Sequence, residues 1–305
     1  MCTIGIVACR NLEGELRIFG FKNADNPPVG YWHGRTGTSV GGGGVGESGV
    51  QSRGGAVAGS GGYASLAFGL LPQTGVNAGL NERGLLVISS FFGFEAPEQA
   101  KEPDGYWHGD IRGKTQAEAL ARCDSAADAL ALLAERYRAE DGPTTGGSHL
   151  LADREGRLYA FEHAFGEMAW QDASQAGWAA RSNQSFGLFP AEQRSQREEI
   201  VRDRELRLRT AEEALAGLAG RPMPEEQALE ALRRLLASHG PSDGGEELGS
   251  ICAHGVPYGR SNAAVPHDTV SGLLWNVSAG EMAYTSGPPC RSTWHKLRFA
   301  DEEGS

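Results

Sequence analysis

Apolar residues first appear in two short runs, TIGIVA at 3–8 and ELRIFGF at 15–21, parted by the polar turn NLEG at 11–14. That spacing predicts an N-terminal β-hairpin. Strand-like runs return at 84–90, then at 148–152, 157–163, 168–171 and 178–181, with turn residues between them. Elsewhere the period lengthens. Ala and Leu recur at helical spacing over 114–140, with Thr115 as candidate cap, and two more helices are predicted over 193–218 and 225–239. A linker at 241–249 leads to closing strands at 250–253, 270–277 and 281–285. Strands, helix, strands, helices, strands: this order predicts a layered α+β domain, not a βαβ repeat.

The pattern breaks over 26–62, where Pro, Gly and Ser take over and four glycines run from 41 to 44. Such a stretch reads as a loop or insertion. Within it, GVGESG at 44–49 has the GxGxxG form, but no strand precedes it and no helix follows, so it is not read as a nucleotide site. The tetrapeptide YWHG occurs at 31–34 and 106–109, both times in an apparent loop.

Composition then narrows the function classes. The chain has 305 residues, 40% of them hydrophobic, enough to bury a sizeable core. A net charge of −11 with no basic cluster excludes a nucleic-acid backbone or an anionic membrane surface as partner. No apolar run of about eighteen residues predicts a membrane helix, and the N-terminus lacks the features of a secretory signal. Five cysteines, Cys2, Cys9, Cys123, Cys252 and Cys290, form no CxxC and no even set. Reduced thiols in the cytoplasm are expected. Cys252 and His254 are of zinc-ligand type, but no second pair completes a tetrahedral set in sequence, so no metal and no cofactor are assigned. The mixed charges at 198–209 read as a solvated helix face.

Cys2 carries the candidate chemistry. Loss of Met1 would leave it with its own α-amine beside its own thiol. A free α-amine titrates near pH 8 and a thiol near 8.5, so the amine can take the thiol proton without a separate base. None of the eight histidines is singled out by spacing as a partner.

Several segments then resemble one family in its own order. MCTIGIV followed by FGFKNADNPP is similar to the opening of the cysteine N-terminal-nucleophile (Ntn) hydrolases, which include choloylglycine hydrolases, penicillin V acylases and isopenicillin-N acyltransferase-like proteins. GLNERGL at 79–85 resembles their G-x-N-E-x-G-L segment. Weaker matches are GGSHLLAD at 146–153, RSN at 181–183, and SICAH at 250–254 with SGPPC at 286–290. The resemblance implies that Asp25 orients the α-amine and Lys22, where many relatives carry Arg, stabilises the thiolate. It further implies that Asn81 donates to the oxyanion, that Asn183 binds the amine or substrate, and that Arg197 is a basic residue near the site. Ala253 stands where the family often has a basic residue, and His254 is given no catalytic role.

The implied fold is a four-layer αββα sandwich, one domain over 1–305 with Met1 removed. The implied reaction is cleavage of a linear non-peptide amide through a thioester on Cys2, with a small-molecule amide or acyl thioester as partner. Two alternatives stay open: acyl transfer to an amine, and a non-catalytic binding protein on the same fold. A homo-oligomer is also left open.

Overall fold

The computed structural model describes residues 2–26, 29–37, 62–71, 73–92, 111–138, 146–164, 166–191, 196–240, 242–243, 246–255 and 267–299. The four-glycine run, the GVGESG hexapeptide and the second YWHG lie outside them. In chain order the first half holds β1 (Cys2–Arg10), β2 (Leu16–Asn26), β3 (Tyr31–Thr36), β4 (Ser65–Leu70), β5 (Ala78–Asn81) and β6 (Leu86–Phe91). Helices α1 (Arg112–Arg122) and α2 (Ala126–Arg138) follow, then β7 (Gly147–Ala152), β8 (Leu158–Ala164), β9 (Glu167–Asp172) and β10 (Trp178–Arg181). Next come α3 (Glu198–Leu218), α4 (Glu225–Leu236), the two-residue strands β11 (Ser242–Asp243) and β12 (Glu246–Glu247), and β13 (Asp268–Asn276), β14 (Glu281–Thr285) and β15 (Trp294–Arg298).

Two antiparallel sheets occupy the middle. One runs β10-β1-β2-β13-β14-β15 and the other β3-β4-β5-β6-β7-β8-β9. Their strands alternate between two apolar spaces because side chains point to opposite faces at every step. Ile4, Ile6, Ile18, Leu273 and Trp275 of the first sheet meet Leu66, Phe68, Leu86, Ile88 and Leu150 of the second. The opposite face of the first sheet, with Val7, Phe19, Phe21 and Leu274, packs on Leu215 of α3 and Leu229 and Leu232 of α4. The opposite face of the second, with Ala67, Val87, Leu151 and Phe161, packs on Leu120 of α1 and Leu133 of α2. Three apolar spaces between four layers make the αββα sandwich that the family resemblance implies. Both faces of the strands are covered, so their sequences read as apolar runs rather than clean alternation. Two glycines mark tight crossings. A Cβ on Gly5 would lie 2.3 Å from Phe21 and 2.9 Å from Leu215, and one on Gly20 would lie 2.3 Å from Leu86 across the sheets.

Several expectations change. The single helix over 114–140 is two helices, because Ser125 Oγ accepts the Asp128 N–H at 3.2 Å and restarts the helix after a break at Cys123. Thr115 is not a cap; it is buried inside α1, and its N–H bonds to the Ile111 carbonyl. The first YWHG lies in β3, paired with β4, rather than in a loop. Residues 250–253 form no strand. Their backbone bonds go to the Ser238 carbonyl, to the main chain and side chain of Thr269 and to the Asn23 side chain, without forming a regular ladder. β4, β5 and β15 escape the sequence pattern. The first two are short and rich in Ala and Gly, and β15 (WHKLR) is a polar edge strand. Among the described residues no helix is long and apolar enough to cross a membrane.

Candidate active site

Cys2 begins β1, directly opposite Ala24 of β2 and two steps from the Ile4–Lys22 pair. Residues two apart share a face, so Cys2 and Lys22 both point into the space between the sheets. The Lys22 ammonium donates to the carbonyl of Ser89 on β6 and lies within hydrogen-bonding reach of the Cys2 thiol. Burial pushes the Lys22 amine below its usual value, while the adjacent sulfur, when ionised, favours its charged form. A cation held dry beside a thiol stabilises the thiolate over the thiol.

Asp25 and Thr3 share the other face of the hairpin, and α3 lies over that side. There Arg207, 1% exposed, forms an ion pair with Asp203 at 2.9 Å, one helical turn earlier. Its Nη1 donates to the Cys2 carbonyl and to Thr3 Oγ1, each at 3.1 Å, and its Nη2 to Asn183 Oδ1 at 3.2 Å. Asp203 is satisfied in turn by the Gly249 N–H at 3.0 Å. Asp25 accepts a hydrogen bond from Thr269 Oγ1. Burial raises the Asp25 carboxyl to about 6, against the pull of the positive charge at the chain's N-terminus and of Arg207.

Asn183 follows β10, whose Arg181 pairs with Ile4, and so lands beside Cys2. Its Oδ1 accepts the Cys2 main-chain N–H at 2.6 Å, and its Nδ2 donates to the Phe91 carbonyl at 2.6 Å. With Met1 attached that nitrogen is a peptide N–H; after cleavage the same atom is the α-amine. Ser90 Oγ also donates to the Ser182 carbonyl, at 3.0 Å. Three successive residues of β6 thus anchor Lys22, Ser182 and Asn183.

Cys2, Lys22 and Asn183 are therefore joined directly, and Asp25 is brought to the same end of the hairpin. Asn81 is not linked to them. Both its amide hydrogens go to carbonyls at the end of α1, Leu120 and Cys123, each at 2.9 Å, and its Oδ1 accepts the Leu85 N–H. It closes the β5–β6 turn, in which Gly84 takes φ +92°. Arg197 stands exposed before the first turn of α3. The arginine that reaches Cys2 is Arg207, ten residues on, and the sequence analysis missed it. The 198–209 segment is not wholly a solvated face: Ile200, Asp203, Arg204, Arg207, Ala211, Leu215 and Leu218 form its buried stripe. That i, i+4 register of charges with Ala211 and Leu215 was visible in the sequence.

Behind β6, Tyr137 OH lies 3.0 Å from His149 Nε2 and stacks on His163, ring centroids 3.5 Å apart. Burial, with Arg112 and Lys22 nearby, lowers His149 to about 3, so its imidazole is neutral. Glu162 of β8 accepts the N–H groups of Phe186, Gly187 and Leu188 and orders the loop after Asn183.

No family model and no curated protein matches the chain. Solved structures do. Penicillin V acylase from Agrobacterium tumefaciens superposes with a TM-score of 0.53 at 11% identity, over 97% of this chain and 86% of that one. The C2A mutant of conjugated bile acid hydrolase from Clostridium perfringens gives 0.52 at 12% identity, over 99% and 94%. The chain has the Ntn-hydrolase fold. At such identity the likeness lies in the path of the backbone, and the Ntn sandwich here puts a cysteine at the start of a central strand of the first sheet.

Proposed function

We propose that the protein is a cysteine amidohydrolase that acts on a small linear, non-peptide amide in the cytoplasm. One observation carries the reading: the nitrogen of Cys2 is held at 2.6 Å by Asn183 while its thiol faces the buried Lys22 ammonium. The fold neighbours are by name an acylase and a hydrolase of conjugated bile acids, and the proposed reaction breaks the same kind of acyl–nitrogen bond.

After cleavage of the Met1–Cys2 bond, the free α-amine takes the thiol proton and the thiolate attacks the amide carbonyl carbon. The α-ammonium then gives its proton to the leaving nitrogen, and the C–N bond breaks to leave a Cys2 thioester. Water adds to the thioester with the amine as base, the C–S bond breaks, and acid and thiol are released. Lys22 stabilises the thiolate. Asn183 and Arg207 fix the position of Cys2 through its nitrogen and its carbonyl, and ionised Asp25 supports the ammonium form. Asn81 takes no part here, since freeing either of its amide hydrogens would leave a buried carbonyl unpaired at about 1–3 kcal/mol.

Intact-mass spectrometry before and after incubation with a panel of amides tests the reading. Loss of Met1 and an acyl adduct on Cys2, absent in Cys2→Ala, are expected. An active preparation that retains Met1 would overturn it. Adding an amine acceptor separates hydrolysis from acyl transfer: product that follows the acceptor concentration identifies a transferase.

A further inference from the structure

Cys252 and His254 have no partner pair nearby in sequence, yet the fold supplies one. His239, three residues beyond the end of α4, and Cys290, in the loop after β14, meet them so that all four ligand atoms lie within 4.8 Å of one another. His254 Nε2 is 3.2 Å from Cys290 Sγ and 3.8 Å from Cys252 Sγ. The His239 and His254 rings stack with centroids 5.2 Å apart. A tetrahedral zinc ion, with bonds of about 2.3 Å to sulfur and 2.0 Å to nitrogen, sets its ligand atoms roughly 3.3–3.8 Å from each other. The two distances above bracket that range, and modest side-chain rotation would close the rest. Tertiary structure thus supplies the second pair of ligand-type side chains that Cys252 and His254 lack in sequence.

We propose that His239, Cys252, His254 and Cys290 bind one zinc ion as a closed, structural site. Two thiolates and two imidazoles suit zinc, whereas calcium and magnesium want oxygen ligands. Four protein ligands leave no open position for an attacking water, so the ion holds the fold rather than performing hydrolysis. On binding, the two thiols lose their protons to solvent and both imidazoles bind in the neutral form.

The backbone gathers the ligand-bearing segments before any ion arrives. Cys252 N–H donates to the Ser238 carbonyl at 2.9 Å, which sets the Cys252 and His239 segments side by side. Ala253 N–H donates to Thr269 Oγ1 at 2.8 Å, and Thr269 N–H returns a bond to the Ala253 carbonyl at 2.9 Å. Gly287 N–H donates to the Val270 carbonyl at 2.9 Å, and the turn from Pro288 to Arg291 presents Cys290. The ion would clasp the end of α4, the 250–255 turn and the β14–β15 loop onto β13. Thr269, held by that turn, also donates to Asp25, so the clasp backs the helix-side wall of the Cys2 site.

Elemental analysis of the whole chain, purified without chelator, is expected to find one zinc per chain. Cobalt(II) added to the zinc-free chain is expected to give thiolate charge-transfer bands and the intense d–d bands of a tetrahedral ion. Cys290→Ser, which alters the exposed thiol, should weaken zinc retention tenfold or more, since losing even an outer-shell partner costs about that much. Stripping zinc from the wild type should lower its melting midpoint by several degrees. Neither zinc nor a cobalt spectrum in the wild type would overturn the proposal. So would an unchanged cobalt spectrum in both Cys290→Ser and His239→Ala, or a native mass lower by the two hydrogens of a Cys252–Cys290 disulfide.

Discussion

Cys2 and Cys252 are both buried thiols, 6% and 0% exposed, yet their surroundings suit them to different work. Cys2 sits on a strand whose register places a lysine beside the sulfur and an arginine and an asparagine on its backbone. Cys252 sits in a turn where the neighbours are two imidazoles and another thiol. The first set places a cation beside one sulfur and fixes the backbone of Cys2 from both sides; the second converges on a single point and suits a cation. Cysteine chemistry here is decided by the charge and direction of the nearest donors, and strands and turns deliver those donors in different ways.

Removing Cys2 is the strongest way to break the comparison. Cys2→Ala should lower turnover at least about 10,000-fold, the scale of losing a nucleophile, while zinc content by elemental analysis stays the same. If both fall together, the two sites are one unit. Arg207→Ala comes next. It leaves Asp203 buried without its cation, a loss of about 3–5 kcal/mol in denaturant unfolding, and loosens both the carbonyl of Cys2 and Asn183.

Asp25→Asn separates stability from activity. The Asp25 carboxyl is raised by folding from 3.8 to about 6, so the folded chain favours its protonated form. That contribution is fully present below about pH 3.8 and is lost as pH rises through about 6, a swing of about 3 kcal/mol. The Asn variant lacks this dependence, and calorimetry should find it gaining on the wild type between pH 5 and 7. Turnover should run the other way, rising through about pH 6 in the wild type and staying low in Asp25→Asn. Arg197→Ala is the smallest change expected, within about 0.5 kcal/mol of the wild type, as for most exposed positions, and without effect on turnover. A large loss would restore Arg197 to the site.

Cys2 is legible from its own chemistry, while Lys22, Asp25 and Asn183 enter only through the family resemblance. The hairpin register brings Lys22 and Asp25 to the end where Cys2 lies, and Asn183 arrives through the β1–β10 pairing. Local register suffices for the hairpin residues, whereas Asn183 depends on a strand pairing that spans 181 residues. Asn81 lay in the most specific motif, but the motif describes a turn: its amide caps the end of α1, and no short segment reveals which carbonyls an asparagine will meet. Arg207 was hidden by its company. Its neighbours carry charge of both signs. The 203–207–211–215 spacing is legible in the sequence as a row, while the packing of α3 on the first sheet shows that this row faces inward.

By itself the chain's pattern determined a layered α+β domain with a cysteine opening its first strand, because local period and turn residues act over a few positions. Tertiary structure alone decided which arginine reaches Cys2 and that His239 and Cys290 join Cys252 and His254. Those meetings span 205 residues between Cys2 and Arg207 and 36 between His254 and Cys290. Their geometry comes from the burial of whole faces, a sum over many side chains that no single segment records.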